Sequence, residues 1–188
     1  MELDEALARR RSIRKYGTDP IPGESVTRII NAAHMAPSGA NASPWLYVVV
    51  SDSAVKTSIR AASEEVDGAW NADMPAWFQS WLSGQSITRE KAFLEDAPCL
   101  LVVFSDSTMP YAVESTWISI GYALLAAAQE GLGSLTYTPG DPRFLSSVLN
   151  VPRHFVPQAI LPIGYPAETP DPALRPKKRY DIGSHAVR

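Results

Sequence analysis

A chain of 188 residues with a formal charge of −3 and an apolar share of 45% can bury one sizeable core, and it has no surplus of cations for holding a nucleic-acid backbone. Its single cysteine, Cys99, excludes an internal disulfide and points to a reducing, cytoplasmic setting. The acidic start, Met1-Glu2-Leu3-Asp4-Glu5, has no apolar stretch, so no secretory leader is expected.

The first predicted element is a short helix over 3–10. Directly after it, Arg10, Arg11 and Arg14 crowd around Ser12 and Ile13. Guanidinium groups this close repel one another, and Arg is the side chain that grips phosphate in a fixed, bidentate geometry. On residues alone the cluster reads either as a solvated helix end or as a phosphate clamp. A second helix is predicted over 24–35, opened by Pro22, with Val26, Ile29, Ile30 and Ala33 at helical spacing. It runs into Ala36-Pro37-Ser38-Gly39-Ala40-Asn41-Ala42-Ser43-Pro44-Trp45, whose Pro, Ser, Gly and Asn favour tight turns and leave backbone amides free to face a ligand. Taken alone, it is a helix-to-strand connection.

A strand follows over 45–50 and a helix over 53–65. The segment 66–90, rich in Trp, Ser, Gly and Asn, reads as irregular and is the candidate lid. Residues 99–105 form an apolar, β-rich run expected to be a fully buried strand, with Cys99 inert inside it. A long helix over 112–130 is stopped by Gly131, and its face of Ile118, Tyr122, Leu125 and Ala126, with small neighbours Gly121, Ala123, Ala127 and Ala128, predicts close helix packing. Its apolar run, 117–128, falls well short of the roughly 20 residues a membrane span needs, so no membrane partner is expected. A strand over 133–137, a short helix to 149 begun by Asp141 and Pro142, and a strand over 157–164 complete the pattern. The tail 166–188, with Pro166, Pro170, Pro172 and Pro176, is expected to lie extended. This is an α+β reading, one domain over 1–188, with a mixed central sheet flanked by helices. His34, His154 and His185 lack metal-ligand spacing, so no metal is expected.

The Arg10-Arg11-Ser12-Ile13-Arg14 element and the loop from Pro37 to Trp45 resemble the signature of the FMN-dependent nitroreductase family, which reads Arg-x-Ser-x-Arg/Lys and then Pro-Ser-x-x-Asn-x-x-Pro-Trp. The resemblance runs from about Leu7 to Ile182. It implies a nitroreductase-like fold, an intertwined homodimer with FMN in two interfacial clefts, and a tail that crosses the partner. By the same resemblance Arg10, Arg11, Ser12 and Arg14 hold the phosphate and ribityl chain. Pro37, Ser38, Gly39 and Asn41 run along the flavin from the other subunit, and Thr136, Tyr137 and Thr138 pass its N5 edge. Lys177 or Arg179 adds a further basic contact to the phosphate. The reductant is NADH or NADPH, which in this family stacks on the flavin. The chain accordingly carries no Gly-x-Gly-x-x-Gly fingerprint.

Within the family, the run from Gly121 to Gly133, Thr136-Tyr137-Thr138-Pro139, and Leu161 to Pro166 resemble the iodotyrosine deiodinase branch. There a lid Glu, Tyr and Lys grip the substrate zwitterion, and a Thr hydroxyl at N5 favours one-electron steps. Lys91, seven residues before Pro98, matches the Lys, and Thr138, the candidate catalytic residue, matches the Thr. The Glu falls near Glu65 or Asp67, and the Tyr position holds Trp70 or Asn71, a departure from the branch. Ala40, Trp70 and Lys91 are thus the candidate substrate contacts, Lys91 reading equally as a solvated helix lysine. The implied activity is electron transfer from NAD(P)H to a small electrophile such as a nitroaromatic or quinone. The alternative is reductive dehalogenation of halogenated tyrosines or phenols, and a third class is flavin binding without turnover.

Overall fold

The structure, a computed structural model, describes residues 2–72, 74–84 and 89–169, with the side chains of 69–72 and of Gly84 left aside. Its elements in order are α1 (Leu3–Arg9), α2 (Gly23–His34), a 3-10 turn (Gly39–Asn41), β1 (Trp45–Val50), α3 (Ser53–Ala72), α4 (Ala76–Gly84) and α5 (Phe93–Asp96). Then follow β2 (Cys99–Asp106), α6 (Ala112–Gln129), β3 (Gly133–Ser134), α7 (Phe144–Val148) and β4 (Phe155–Gly164).

Alternation along the strands builds two cores. Successive side chains point to opposite faces of a sheet, so Leu100, Val102 and Phe104 of β2 meet Ile59 of α3, Leu94 of α5 and Leu145 of α7 on one side. Cys99, Leu101 and Val103 meet Ile29 and Ala33 of α2 and Ile120, Ala123 and Ala127 of α6 on the other. A strand buried on both faces must be apolar throughout, which is why β2 reads as an unbroken apolar run. Burial also pushes the Cys99 thiol up to about 11, so the group behaves as a small apolar side chain.

The sheet order is β1-β2-β4-β3, and these strands pair antiparallel throughout. The mixed character expected from the sequence is confined, among the described residues, to one parallel bridge between Ser12 and Ser134. The candidate lid differs more. Residues 66–72 continue α3 without a break and 76–84 form α4, so much of this segment is helical rather than irregular. Gly68, which argues against a helix in isolation, is useful here: a Cβ would lie 2.8 Å from the Arg89 guanidinium that rests on this turn.

On α6 the small residues Ser115, Thr116, Ser119, Ala123 and Ala127 are buried. The large apolar ones expected to pack, Ile118 and Tyr122, instead stay 45% and 42% exposed, alongside Val113 and Trp117. No helix among the described residues is long and apolar enough to cross a membrane.

Candidate functional site

The candidate site residues fall in two clusters and one loop. The first is the arginine segment leaving α1. Its backbone is stitched to the β3–β4 edge of the sheet: the Ile13 N–H donates to Ser134 O at 3.0 Å, Gly17 N–H to Tyr165 O at 2.9 Å, and Ala167 N–H to Lys15 O at 2.9 Å. Gly133 permits this approach, since a Cβ there would meet Ile13 at 2.8 Å. The Tyr16 hydroxyl donates to Ile13 O at 2.7 Å and lies 3.2 Å from Pro162 O. Burial, with Glu168's charge second, pushes that phenol above its ordinary range. Glu168 accepts from the backbone N–H of Arg14 and, at 3.1 Å, from that of Lys15, a contact between segments more than 150 residues apart.

The result is a cleft of about 260 Å³ onto which Arg9, Arg10 and Arg11 open, with Gly133, Ser134 and Glu168 also in its wall. Arg10 and Arg11 bring cations beside the one carboxylate of the wall, Glu168, which is engaged by backbone N–H groups, while Arg9 is paired with Glu5 at 2.7 Å. That donor set fits a phosphate monoester. Arg9 lies outside the Arg-x-Ser-x-Arg pattern, and nothing local in the sequence marks Glu168, a glutamate that acts so far along the chain. Lys177 and Arg179 lie outside the described residues.

The loop from Pro37 to Asn41 lies at the other end of α6. Gly39 N–H donates to Ser115 Oγ at 3.1 Å, Ser43 N–H to Ser38 Oγ at 2.9 Å, and Ala40 and Asn41 both take positive φ, 52° and 54°. Gly39 sits against the Tyr111 ring, where a Cβ would come within 2.5 Å. Gly39→Ala is therefore expected to cost about 1–3 kcal/mol by overpacking. Tyr111→Gly, at a residue whose own φ is 52°, should recover part of the loss, so that thermal melts of the two single variants and the double are non-additive. Additive losses would mean that the contact carries no strain. The tight residues at 38–41 are thus shaped by α6, while Pro37, Ala40 and Asn41 remain exposed.

The second region joins α3 to the segment after β3. Tyr137 bridges to Ile160, its N–H donating at 3.0 Å, which leaves Thr136 half-buried and Thr138 exposed beside it. The Tyr137 hydroxyl donates to Asp67 Oδ2 at 2.9 Å, and Gly140 N–H donates to Asp67 Oδ1 at 2.9 Å. Lys91 Nζ lies 3.2 Å from Asp67 Oδ2, donates to Arg89 O at 2.9 Å, and stands 5.9 Å over the Tyr137 ring. Lys91 is 6% exposed, so the solvated-lysine reading is corrected: its ammonium is met by Asp67 and a backbone carbonyl. Burial first, then the Asp67 charge, push the Tyr137 phenol above its ordinary range, so it acts here as a donor. Glu64 accepts from the Lys91 N–H at 2.7 Å, and although desolvation acts against it, that bond and Arg60 hold its carboxyl below the usual range. Of the two positions open from the sequence, Glu65 and Asp67, it is Asp67 that pairs with Lys91. Trp70 lies on α3, its side chain outside the described residues.

Helices on both faces of a small antiparallel sheet, with an arginine cleft at one edge, make this a nitroreductase-like α+β fold. The Nitroreductase family model matches residues 7–165, and the chain belongs to that family. It is 36% identical to the iodotyrosine deiodinase of Thermotoga neapolitana over 186 residues, covering 99% of this chain and 96% of that protein. It is likewise 36% identical to the iodotyrosine deiodinase of Haliscomenobacter hydrossis, covering 89% of this chain and 80% of that one. Among solved structures, an iodotyrosine deiodinase bound to FMN and 3-iodo-L-tyrosine superposes with a TM-score of 0.86 at 35% identity, covering 100% of this chain and 98% of that one.

Proposed function

We propose that the chain, acting as one domain over 1–188, binds FMN and transfers electrons from NADH or NADPH to a small electrophilic aromatic acceptor such as a nitroaromatic or quinone. The observation that carries this reading is the convergence of Arg9, Arg10 and Arg11 on one cleft beside Ser134. Arg10, Arg11, Ser12 and Arg14 would hold the phosphate end, and Thr136, Tyr137 and Thr138 would border the ring. Bound FMN supplies a carrier that accepts hydride from the nicotinamide and returns electrons to the acceptor. Reduction of a nitro group to the hydroxylamine consumes two hydrides and two protons and releases one water. The protein's own task is to hold, orient and shield.

The clamp and the Pro37–Asn41 loop stand at opposite ends of α6, and from Tyr111 to Ala128 the helix axis rises about 25 Å. One chain does not close both around one flavin, which supports a homodimer in which each site takes its clamp from one copy and its loop from the other. The exposed face of Val113, Trp117, Ile118 and Tyr122 is the apolar surface such a dimer would bury. A lone, buried Cys99 suits a cytoplasmic enzyme.

Cofactor extraction tests the reading: yellow protein releasing FMN is expected, because a monophosphate clamp without a glycine-rich pyrophosphate loop does not hold an adenylate extension. Release of FAD, or no flavin bound on reconstitution, would sink it. A second reading, reductive dehalogenation of a phenol or tyrosine, is favoured by the deiodinase relatives and by Lys91 standing over Tyr137. There two electrons and a proton replace the halogen, which leaves as halide. Thr138→Ala should then depress dehalogenation more than nitro reduction, whereas equal losses would argue against this second reading.

A further inference from the structure

His34, the last residue of α2, and Trp45, the first of β1, are the two stems of the loop that carries Pro37–Asn41, and a side-chain bond joins them: the Trp45 indole N–H donates to His34 Nδ1 at 2.8 Å. We propose that this bond is a clasp that holds the loop in the form presented to the flavin, with His34 as the positioning residue. The proposal rests on the flavin-binding reading above, which lays the loop along the cofactor gripped by the clamp of the other copy.

The loop has to be held against its own backbone. Ala40, Asn41 and Ser43 all take left-handed conformations, at φ 52°, 54° and 46°, a region that residues with a Cβ leave unless their surroundings fix them. The second stem is set into the sheet: Asp106 N–H donates to Pro44 O at 2.7 Å, and Trp45 is 6% exposed. The first stem is fixed at Ala33, whose carbonyl receives the Ser119 hydroxyl at 2.9 Å, and that hydroxyl also shares a 2.7 Å hydrogen bond with Tyr47. His34 follows Ala33 at the exposed end of the helix and crosses between the stems, its ring centroid 6.1 Å from those of Trp45 and Tyr47. An indole has one donor and no acceptor, so Nδ1 accepts and carries no proton; without it a buried N–H is left unmet. A loop freed at its stems would leave a smaller fraction of molecules ready for the flavin, and apparent affinity falls with that fraction.

Titration of the full chain, freed of flavin, with FMN and with riboflavin tests the clasp. His34→Ala should weaken both flavins alike, about three- to tenfold, because the lost bond is a neutral one and the loop runs along the part of the cofactor that the two share. His34→Asn sets an amide oxygen where Nδ1 stood and should return both affinities to within about twofold of wild type. Ala is the better helix former, so a role for His34 in the helix alone predicts the reverse order. Trp45→Phe keeps an aromatic ring and removes the donor; it should match His34→Ala, and the double variant should bind no more weakly than either single one. Wild-type affinity in His34→Ala, an Asn variant no better than the Ala variant, or losses that add in the double variant overturn the proposal while the flavin reading stands. Should Trp45→Phe, a change in the core, lose its fold by circular dichroism, the two exchanges at the exposed His34 decide alone. A wild-type protein that binds neither flavin, by contrast, removes the flavin reading and this proposal with it.

Discussion

Arg10→Ala is expected to weaken FMN binding by about one to two decades while leaving riboflavin binding nearly unchanged. Arg10 lines the 260 Å³ cleft, and a charge-assisted hydrogen bond to phosphate contributes about 1.5–3 kcal/mol. Arg14→Ala tests a further guanidinium of the proposed clamp, one outside the wall of that cleft, and because the Arg14 backbone N–H still reaches Glu168, the loop keeps its anchor. Titration of apo-protein with each flavin, followed by fluorescence quenching, reads both effects. Undiminished FMN affinity in both variants would make the cluster a surface patch, and an equal loss of riboflavin would mean that the fold, rather than the phosphate contact, had been damaged.

The largest expected effect on stability belongs to Lys91→Met. It removes the ammonium from a carboxylate that is 10% exposed and leaves Asp67 with its charge uncompensated. Breaking one side of such a pair costs about 3–5 kcal/mol. In a domain of this size that corresponds to a fall in Tm of roughly 6–20 °C. Arg143→Ala provides the contrast: its pair with Asp141 is made in solvent, the Arg143 side chain being 87% exposed, so Tm should stay within experimental error. Equal melting of wild type and Lys91→Met would show that the buried network contributes no more than a surface pair.

How much of this could be read from the residues depends on how local each determinant is. The run Trp45–Val50 is a strand with the limits expected, because apolar and β-branched residues between turn formers decide it locally. β4 starts two residues earlier than expected, at Phe155, since ladder bonds to β2 extend it past Pro157. The segment 66–90 was misread because Gly68 and the nearby Ser and Asn residues lower helix propensity, whereas the guanidinium of Arg89 and the Asp67 contacts to Tyr137 and Gly140 favour α3 across it. Strand direction is equally silent in composition, so an antiparallel sheet was expected as a mixed one. On α6 the small and large apolar residues both fit a buried face, and only tertiary packing decided that Ala123 and Ala127 turn inward while Ile118 and Tyr122 turn out. The arginine cluster is legible as a cluster because Arg10 and Arg11 are adjacent, whereas Ser12 and Arg14, read with them from the sequence, are not among the residues that line the cleft. Glu168 was not legible, because its partners are the backbone N–H groups of Arg14 and Lys15 at the far end of the chain.

In the proposed homodimer, the separation of the clamp and the loop by the length of α6 would make the two halves of a site separately inheritable. A chain carrying Arg10→Ala and a chain changed within Pro37–Asn41 would each be defective as homodimers. When the two are co-expressed, a mixed dimer would gather both lesions into one cleft and leave the other with an unaltered clamp facing an unaltered loop. Such crosses should restore up to half of the flavin occupancy per mixed dimer, so two inactive alleles complement each other, whereas two alleles within the clamp do not.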